Sequence, residues 1–370
     1  MTPLVGLKVL DFSHVIAGPF ATFYLAQLGA VVTKIEKPGG GDVMRGTARG
    51  ATQFTAFNAG KTCVEIDLQS PEGCAQALEL ARTSDVLLDN FRPGVLERHG
   101  LGFQAVRAIN PQMIYCSVSG YGTQHAPWKE RGAYDHVIQA ATGMAMLAGE
   151  PGGPPVKTGF PVIDVMTGVL AAFAITAAVQ ERTRTGAGRH VDVSMWGAAL
   201  QLMYPFTVEA LASGESPARV GNKGYSGSPA AEYFEAAPDA NSAGYIAIGA
   251  NTAEQIGKLY AVLGWPAEQA AADLERGPGF ARARQPQAFR DKLAAALNTR
   301  SAQDWEERLQ AVGVPAARVR TLSEFTGEAQ AAGALMPTLL ASLPGMAQST
   351  IATPGLGWTT TLGGTPHGSP

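Results

Sequence analysis

Short apolar runs alternate with amphipathic segments along the first two hundred residues. An apolar run over residues 8–12 precedes a turn and a helical pattern over residues 20–28, which Gly29 ends as a C-cap. A second apolar run, over residues 31–35, ends at Glu36. Strand, helix and strand in this order predict a βαβ unit, in which the two strands are parallel.

The same order of elements recurs downstream. Residues 63–68 predict a strand, and Ser70, Pro71 and Glu72 supply the N-cap, the first-turn proline and the first-turn acid of a helix that ends near residue 83. Further β-rich runs predict strands over residues 85–88, 113–119 and 190–195. Strands that alternate with helices predict an α/β fold, with a doubly wound, Rossmann-like domain over residues 1–210.

The pattern changes in the second half of the chain. Residues 165–179 are almost entirely apolar and predict a buried helix, too short for a membrane span, and a further helix is predicted over residues 197–213. A stretch rich in Gly, Ser, Pro and Asn then predicts linkers within a smaller α+β domain over residues 211–325. Residues 326–370 have weak periodicity and are expected to return to the large domain.

Composition narrows the classes of function. The 370 residues carry 28 basic and 31 acidic side chains, a formal net charge of −3, and 46% of them are apolar. This balance, without a run of Lys and Arg, argues against a nucleic-acid or membrane-surface partner. The three cysteines have no spacing that predicts a disulfide or a metal site, and the N-terminal residues show no targeting signal, so a cytoplasmic protein is expected.

Glu36 ends the second strand, where a dinucleotide-binding fold places its ribose-binding acid. The first strand-to-helix turn, residues 13–19, argues against that function because it has a single glycine, Gly18, beside Pro19. A dinucleotide site needs several glycines there so that the backbone can approach the pyrophosphate. We therefore interpret Glu36 as a solvated acid at a strand end.

Asp164 directly precedes the long apolar segment, and this position has two interpretations. An acid there is by default a helix N-cap. The same carboxylate, held ionised by helix amides and partly desolvated, also meets the conditions for a nucleophile. From physical chemistry alone, the cap is favoured over the nucleophile.

Many short motifs lie along the first two hundred residues. They comprise residues 9–12, 17–19, 28–30, 34–38, 57–61, 66–68, 71–73, 89–94, 117–122, 164–168 and 184–188. In sequence and in their order along the chain, these motifs resemble those of the family III CoA-transferases, the group that includes formyl-CoA transferase, carnitine CoA-transferase and, on the same fold, α-methylacyl-CoA racemase. The resemblance is weaker beyond the first two hundred residues.

The resemblance implies a transferase that moves CoA from an acyl-CoA to a small carboxylic acid, with the CoA thioester as substrate and no permanently bound cofactor. It places the catalytic aspartate at Asp164, which would form an anhydride and then an aspartyl-CoA thioester. It also implies an interlocked homodimer. By matching position, the residues that would line the CoA path are Val15, Lys37, Ile66, Leu68, Asn90, Phe91, Arg98 and Tyr134.

Departures from the family pattern bear on the substrate. Some relatives have an arginine at the position of Lys37, which would stack better on adenine. Ile16 stands where formyl-CoA transferase has a glutamine beside its reacting carboxylates, which argues against oxalate as the acceptor. The acceptor is expected to be set by loop residues, among them His14, Arg45, Tyr121, His125 and Lys223.

Two other functions are alternatives. The racemases need a histidine at the position of Tyr134 and a glutamate at the position of Asn251, so one of their two bases would be missing here. A CoA-binding protein without turnover would not need Asp164. The glycine-rich segment 221–227 is equally well explained as an oxyanion-binding loop and as a linker.

Overall fold

The computed structural model describes residues 2–123, 128–238, 244–275, 277, 279–334, 336–339 and 350–358. The chain divides into two compact units. The first comprises the described residues of Met1–Ala145, Lys157–Pro217 and Ala334–Pro370, and the second those of Met146–Val156 and Ala218–Gly333. Each unit combines separate segments of the chain. The domain bounds expected from the sequence, residues 1–210 and 211–325, stay a prediction.

A parallel six-stranded sheet forms the centre of the first unit. Its strands are β1 Lys8–Asp11, β2 Val31–Glu36, β3 Lys61–Glu65, β4 Val86–Asp89, β5 Ile114–Ser119 and β6 Arg189–Ser194. They lie in the order β3-β2-β1-β4-β5-β6. This is the doubly wound order, in which the direction of strand addition reverses between β1 and β4, so the predicted fold class is confirmed.

Helices cover both faces of this sheet. The helices of this part of the chain are α1 Ala17–Gln27, α2 Gly50–Asn58, α3 Pro71–Arg82, α4 Val95–Arg98, α5 Phe103–Ile109, α6 Asp135–Ala141, α7 Val162–Thr185, α8 Met195–Leu202 and α9 Tyr204–Ser213, with 3₁₀ turns at Val43–Gly46 and Met144–Met146. Ser70 caps α3 by accepting from the N–H of Gly73, as predicted. The single helix predicted over residues 197–213 is two helices, α8 and α9, which meet at Met203.

Alternate residues of the strands supply two separate cores. On β1, Val9 packs with α1 and α7, whereas its neighbour Leu10 packs with α3 and α5. Successive side chains of a strand point to opposite faces, so one apolar run serves both layers of helices.

Helix α7 crosses α1 closely at Gly168. A Cβ atom at this position would lie 2.7 Å from the carbonyl oxygen of Ala17 and 2.9 Å from Cβ of Phe20. The missing side chain therefore lets the first turns of α7 lie against the start of α1. Asp164 is one turn before Gly168, which places it beside the loop between β1 and α1.

The length of α7 differs from the prediction. The helix has 24 residues and is long and apolar enough to cross a membrane, by length and composition only. The predicted apolar segment, residues 165–179, was too short for this. One such helix is weak support for a membrane span, because core helices pass the same test. Its buried residues, among them Ile163, Ala171 and Ile175, face the protein.

The second unit contains an antiparallel sheet of the order β7-β8-β9, formed by β7 Ala230–Glu235, β8 Tyr245–Ala250 and β9 Ala316–Arg318. Its helices are α10 Ala253–Leu263, α11 Ala267–Asp273, α12 Pro286–Leu297, α13 Ala302–Ala311 and α14 Leu322–Ala331. Arg219 donates to the carbonyl oxygens of Met146, Gly153 and Pro154, which ties Met146–Val156 to this unit. In the C-terminal segment, β10 Met336–Leu339 pairs with β11 Thr350–Thr353.

Candidate active site

A cavity of 320 Å³ opens beyond the carboxyl ends of β1 and β4, where the strand order reverses. Ligands of doubly wound sheets bind at this switch point. The lining comes from the ends of three strands and the loops after them (residues 14–17, 90–93 and 118–120), from Lys129 and residues 131–134, and from Asp164 and Met195.

The cavity brings together five of the nine site residues expected from the sequence. These are Val15, Asn90, Phe91, Tyr134 and Asp164. Tyr134 is 70% exposed and its ring stacks on that of His136. The predicted nucleophile and the central part of the expected CoA path thus share one cavity.

The four remaining predicted residues do not line it. Lys37 and Arg98 are exposed, at the carboxyl end of β2 and the end of α4. Ile66 is buried in the core, and Leu68 packs against the same cluster together with Phe91. Their contact with CoA stays a prediction.

Asp164 does not cap its helix, so the default interpretation of this residue is wrong. Helix α7 begins at Val162, and Asp164 is its third residue. The carboxylate of Asp135 takes the capping position instead: its Oδ2 accepts from the N–H of Ile163 at 2.7 Å and from that of Asp164 at 3.2 Å. The side chain of Asp164 is therefore not used for capping and lines the cavity.

The electrostatics of Asp164 also differ from the expectation of a carboxylate held ionised by helix amides. Burial, and secondly the negative charge of Asp135, raise the pKa of Asp164 to about 7. The amides that would stabilise its charge are occupied by Asp135. Near neutral pH, Asp164 is therefore divided between its protonated and ionised forms.

The loop between β1 and α1 has an unusual backbone conformation. Val15 has a φ of 70°, and among the described residues no other non-glycine residue has a positive φ. Its N–H lies 3.2 Å from both carboxylate oxygens of Asp42. The side chain of Asn90 clamps the preceding residue, because it accepts from the N–H of His14 and donates to its carbonyl oxygen, both at 2.8 Å.

Buried charges support this loop from below. Lys34 lies 3.1 Å from Asp42, and Lys61 lies 3.0 Å from Asp11, with all four side chains fully buried. Burial raises the pKa of Asp11, but the charges of Lys61 and Lys34 and the hydroxyl donors outweigh it and lower that pKa to about 2. Asp11 thus stays ionised beneath the cavity.

Glu36 is not the solvated acid expected from the sequence. It is 4% exposed, and Arg45 donates to both of its carboxylate oxygens, at 3.0 and 2.7 Å. The N–H of Asp42 donates to it as well. The acid thus fixes the turn after β2 that carries Asp42.

Three cations of the cavity were not predicted. Arg92, Lys129 and Arg131 line it, and Asp164 is the single acidic residue among the lining residues that the structure describes. Arg131 lies over the ring of Trp128. Arg92 directly follows Asn90 and Phe91, which were predicted to contact CoA. Its position next to these two residues is the sequence signal that could have predicted it.

The residues expected to set the acceptor fall in different places. His14 lines the cavity, and burial lowers its pKa, which favours the neutral ring. Tyr121 is buried, and Arg45 is engaged with Glu36. Lys223 lines two cavities of the second unit, and His125 lies outside the described residues.

The glycine-rich segment 221–227 uses several of its amides internally. The N–H groups of Lys223, Gly224 and Gly227 donate to the carbonyl oxygens of Val220, Ala231 and Gly224. Gly224 also approaches Ala231 so closely that a Cβ would lie 2.6 Å from its oxygen. Oxyanion binding by this segment stays a prediction. Within the part of the chain that the structure describes, no group of three His, Cys, Asp or Glu side chains could hold a metal ion.

Known protein families, proteins and structures are similar to this chain. Residues 4–359 match the model of CoA-transferase family III. The chain is 32% identical to the succinate–glutarate CoA-transferase of Agrobacterium fabrum, covering 89% of this chain and 82% of that protein. It is 41% identical to the acetyl-CoA:oxalate CoA-transferase of Acetobacter aceti over 60% of this chain and 58% of that protein. The crystal structure of a CaiB/BaiF family protein from Brucella suis superposes with a TM-score of 0.76, at 33% identity, over 90% of this chain and 89% of the other.

Proposed function

The chain belongs to CoA-transferase family III, and from this we propose that it transfers CoA from an acyl-CoA to a free carboxylic acid through covalent intermediates on Asp164. The observation that carries the proposal is the position of Asp164. Its carboxyl group lines the cavity at the switch point of the sheet, and its helix is capped by another residue, Asp135.

The proposed reaction has four acyl transfers. The carboxylate of Asp164 attacks the thioester carbonyl of the donor, forming a mixed anhydride and releasing the CoA thiolate. The thiolate attacks the aspartyl carbonyl of the anhydride, which gives an aspartyl-CoA thioester and frees the donor acid. The acceptor carboxylate attacks this thioester and releases the thiolate, which then takes the acceptor acyl group and returns Asp164 to its starting form.

The surroundings of Asp164 support this role. A nucleophilic carboxylate must be ionised, yet strong solvation would stabilise it and slow its attack. Burial holds the pKa of Asp164 at about 7, so that a substantial fraction is ionised and poorly solvated near neutral pH. Asp135 occupies the helix amides that would otherwise bind and stabilise the nucleophile.

The cavity also suits the CoA part of the substrate. Arg92, Lys129 and Arg131 provide positive charge for phosphate groups, and Phe91 adds an apolar surface. Lys37, Ile66, Leu68 and Arg98, with Val15, Asn90 and Tyr134, remain the proposed contacts along the path.

A short dicarboxylic acid is the proposed acceptor class. The named relatives act on succinate, glutarate and oxalate, although Ile16 argues against oxalate here. The test is to incubate the protein with a panel of acyl-CoAs and mono- and dicarboxylic acids, and to detect new thioesters by mass spectrometry. New dicarboxyl-CoA thioesters are expected, and Asp164→Asn should form none. Transfer to monocarboxylic acids alone would contradict this acceptor class.

Racemisation of a 2-methylacyl-CoA is the alternative activity. Tyr134 stands where the racemases have a histidine base, so one of their two bases is missing. Incubation with a chiral 2-methylacyl-CoA in deuterated water should therefore give no deuterium at the α-carbon. Rapid incorporation would favour the racemase.

A homodimer, interlocked as in the family, is proposed as the working form. Helix α9 has no buried residue, and Tyr204, Val208 and Leu211, spaced along one face of it, are 58%, 48% and 82% exposed. An apolar face of this kind supports coverage by a second copy. Folded monomers after dilution in mild buffer would contradict an interlocked dimer. A cytoplasmic location, without nucleic-acid or membrane partners, is proposed from the charge balance.

A further inference from the structure

We propose that Asp42 is a positioning residue that holds the strained Val15 backbone in the conformation that binds acyl-CoA. The inference rests on the proposed function, because it assigns a role in the binding of acyl-CoA. Asp42 itself does not line the cavity. The reasons lie in the conformation of Val15, in the bonds that surround it and in the burial of the groups that make them.

The conformation of Val15 is unfavourable by itself. A β-branched residue at a φ of 70° brings its Cβ close to its own backbone, and such strain persists only where surrounding contacts hold it. Glycine would adopt this φ without strain. Since Val15 lines the cavity, its strained backbone belongs to the surface that the substrate meets.

The loop around Val15 is fixed by side chains from other elements. Asp42 accepts from the N–H of Val15, and Lys34 donates to the carbonyl oxygen of Ser13 at 2.5 Å. Asn90 holds both backbone groups of His14. Three consecutive residues, 13–15, are thus held by side chains from three places: from β2, from the loop after β2 and from the loop after β4.

Asp42 is the centre of this support. Its side chain is fully buried, pairs with the buried Lys34, and also accepts from the N–H of Met44. A carboxylate buried with a lysine cannot relax into water, so its position is set by these partners. The position of the pair in turn sets the position of the Val15 N–H.

Substitution of both charged residues provides the test. Lys34→Met combined with Asp42→Leu removes the pair without leaving a lone buried charge, which favours a folded variant. We expect KM for acyl-CoA and Kd for CoA to rise roughly tenfold, with kcat changed much less, because the loop contributes to binding in the ground state and the transition state alike. Asp42→Asn combined with Lys34→Met keeps an acceptor for the Val15 N–H and leaves no lone buried charge, so it should show a smaller rise and serves if the Asp42→Leu variant does not fold.

A second substitution separates positioning from a general loss of structure. In a Val15→Gly background, the effect of Asp42→Asn combined with Lys34→Met on KM should shrink, because glycine does not need to be held at a positive φ. The control is Asp85→Asn, which removes an ion pair with Arg182 at the amino end of β4, whereas the cavity lies at the carboxyl ends of the strands, and it should leave KM unchanged.

Amide hydrogen exchange provides a readout that does not depend on activity. The peptide containing residues 13–16 should exchange faster in the Asp42 variants than in the wild type. In the control Asp85→Asn, it should exchange at the wild-type rate. If the wild type is active and the folded Asp42 variants keep the wild-type KM and exchange rate, Asp42 has no positioning role. The proposed function would still stand in that case. A wild type that binds no CoA would overturn the proposed function and this inference with it.

Discussion

The carboxylate of Asp135 accepts a hydrogen bond from the backbone N–H of Asp164, at 3.2 Å. One acid thus caps α7 while the other lines the cavity. The arrangement has an electrostatic consequence, because the charge of Asp135 adds to burial in raising the pKa of Asp164. The proposed nucleophile, Asp164, and the cap of its helix, Asp135, are therefore separate residues, and the charge of Asp135 raises the pKa of Asp164.

The pH dependence of transfer should report this coupling. Only ionised Asp164 can attack, so kcat/KM for the acyl-CoA is expected to rise with pH and to level off above about 7. Asp135→Asn removes one of the two causes of the raised pKa and should move the midpoint to lower pH. Asp85→Asn is the matched control and should leave the midpoint in place. A profile that is flat from about pH 5 to about pH 8 would contradict the assignment of Asp164.

The free energy of unfolding should fall with rising pH because of Asp164, whereas a salt-bridged acid makes it rise. Its pKa in the folded state is raised from 3.8 to about 7, so the folded protein binds the proton more tightly than the unfolded chain. Ionisation therefore lowers the free energy of unfolding as pH rises from about 4 to about 7. Asp164→Asn should have a higher Tm than the wild type at about pH 8, and the difference should shrink towards about pH 4. A lower Tm of the variant at the higher pH would contradict the buried charge.

The close crossing of α1 and α7 can be tested at Gly168. Gly168→Ala would place a Cβ 2.7 Å from the oxygen of Ala17, so α7 must move and Asp164 with it. We expect a loss of about 1–3 kcal/mol in the free energy of unfolding and a fall in kcat. The matched control is Gly257→Ala in α10, where a Cβ meets nothing within 4 Å. The control should be neutral or slightly stabilising in chemical denaturation.

Lys61 tests the buried pair beneath the loop. Lys61→Met leaves Asp11 without its nearest cation and should cost about 3–5 kcal/mol in urea unfolding. Arg82→Met breaks the exposed pair with Glu79 and should change stability by less than about 1 kcal/mol. Equal effects of the two substitutions would show that burial of the Lys61 pair has little importance.

Local sequence signals predict the helices and strands, whereas the geometry of the candidate site depends on contacts between residues that are distant in the sequence. Ser70 and Pro71 specify the start of α3 through neighbours a few residues away, and this prediction is confirmed. The cap of α7 was not predictable in this way, because it comes from Asp135 across an intervening loop. The burial of Glu36 likewise depends on Arg45, a partner that hydropathy alone does not reveal. Strand β9, three residues long, is too short to give a recognisable period.

Trapping of the aspartyl intermediate tests the central claim most directly. The protein is incubated with acyl-CoA and hydroxylamine, digested, and the peptide that contains Asp164 is analysed by mass spectrometry, with Asp164→Asn and a sample without acyl-CoA as controls. The account predicts a hydroxamate on Asp164 in the wild type only when acyl-CoA is present, together with loss of activity. Transfer by the wild type without any modification of Asp164, or substantial transfer by Asp164→Asn, would contradict it.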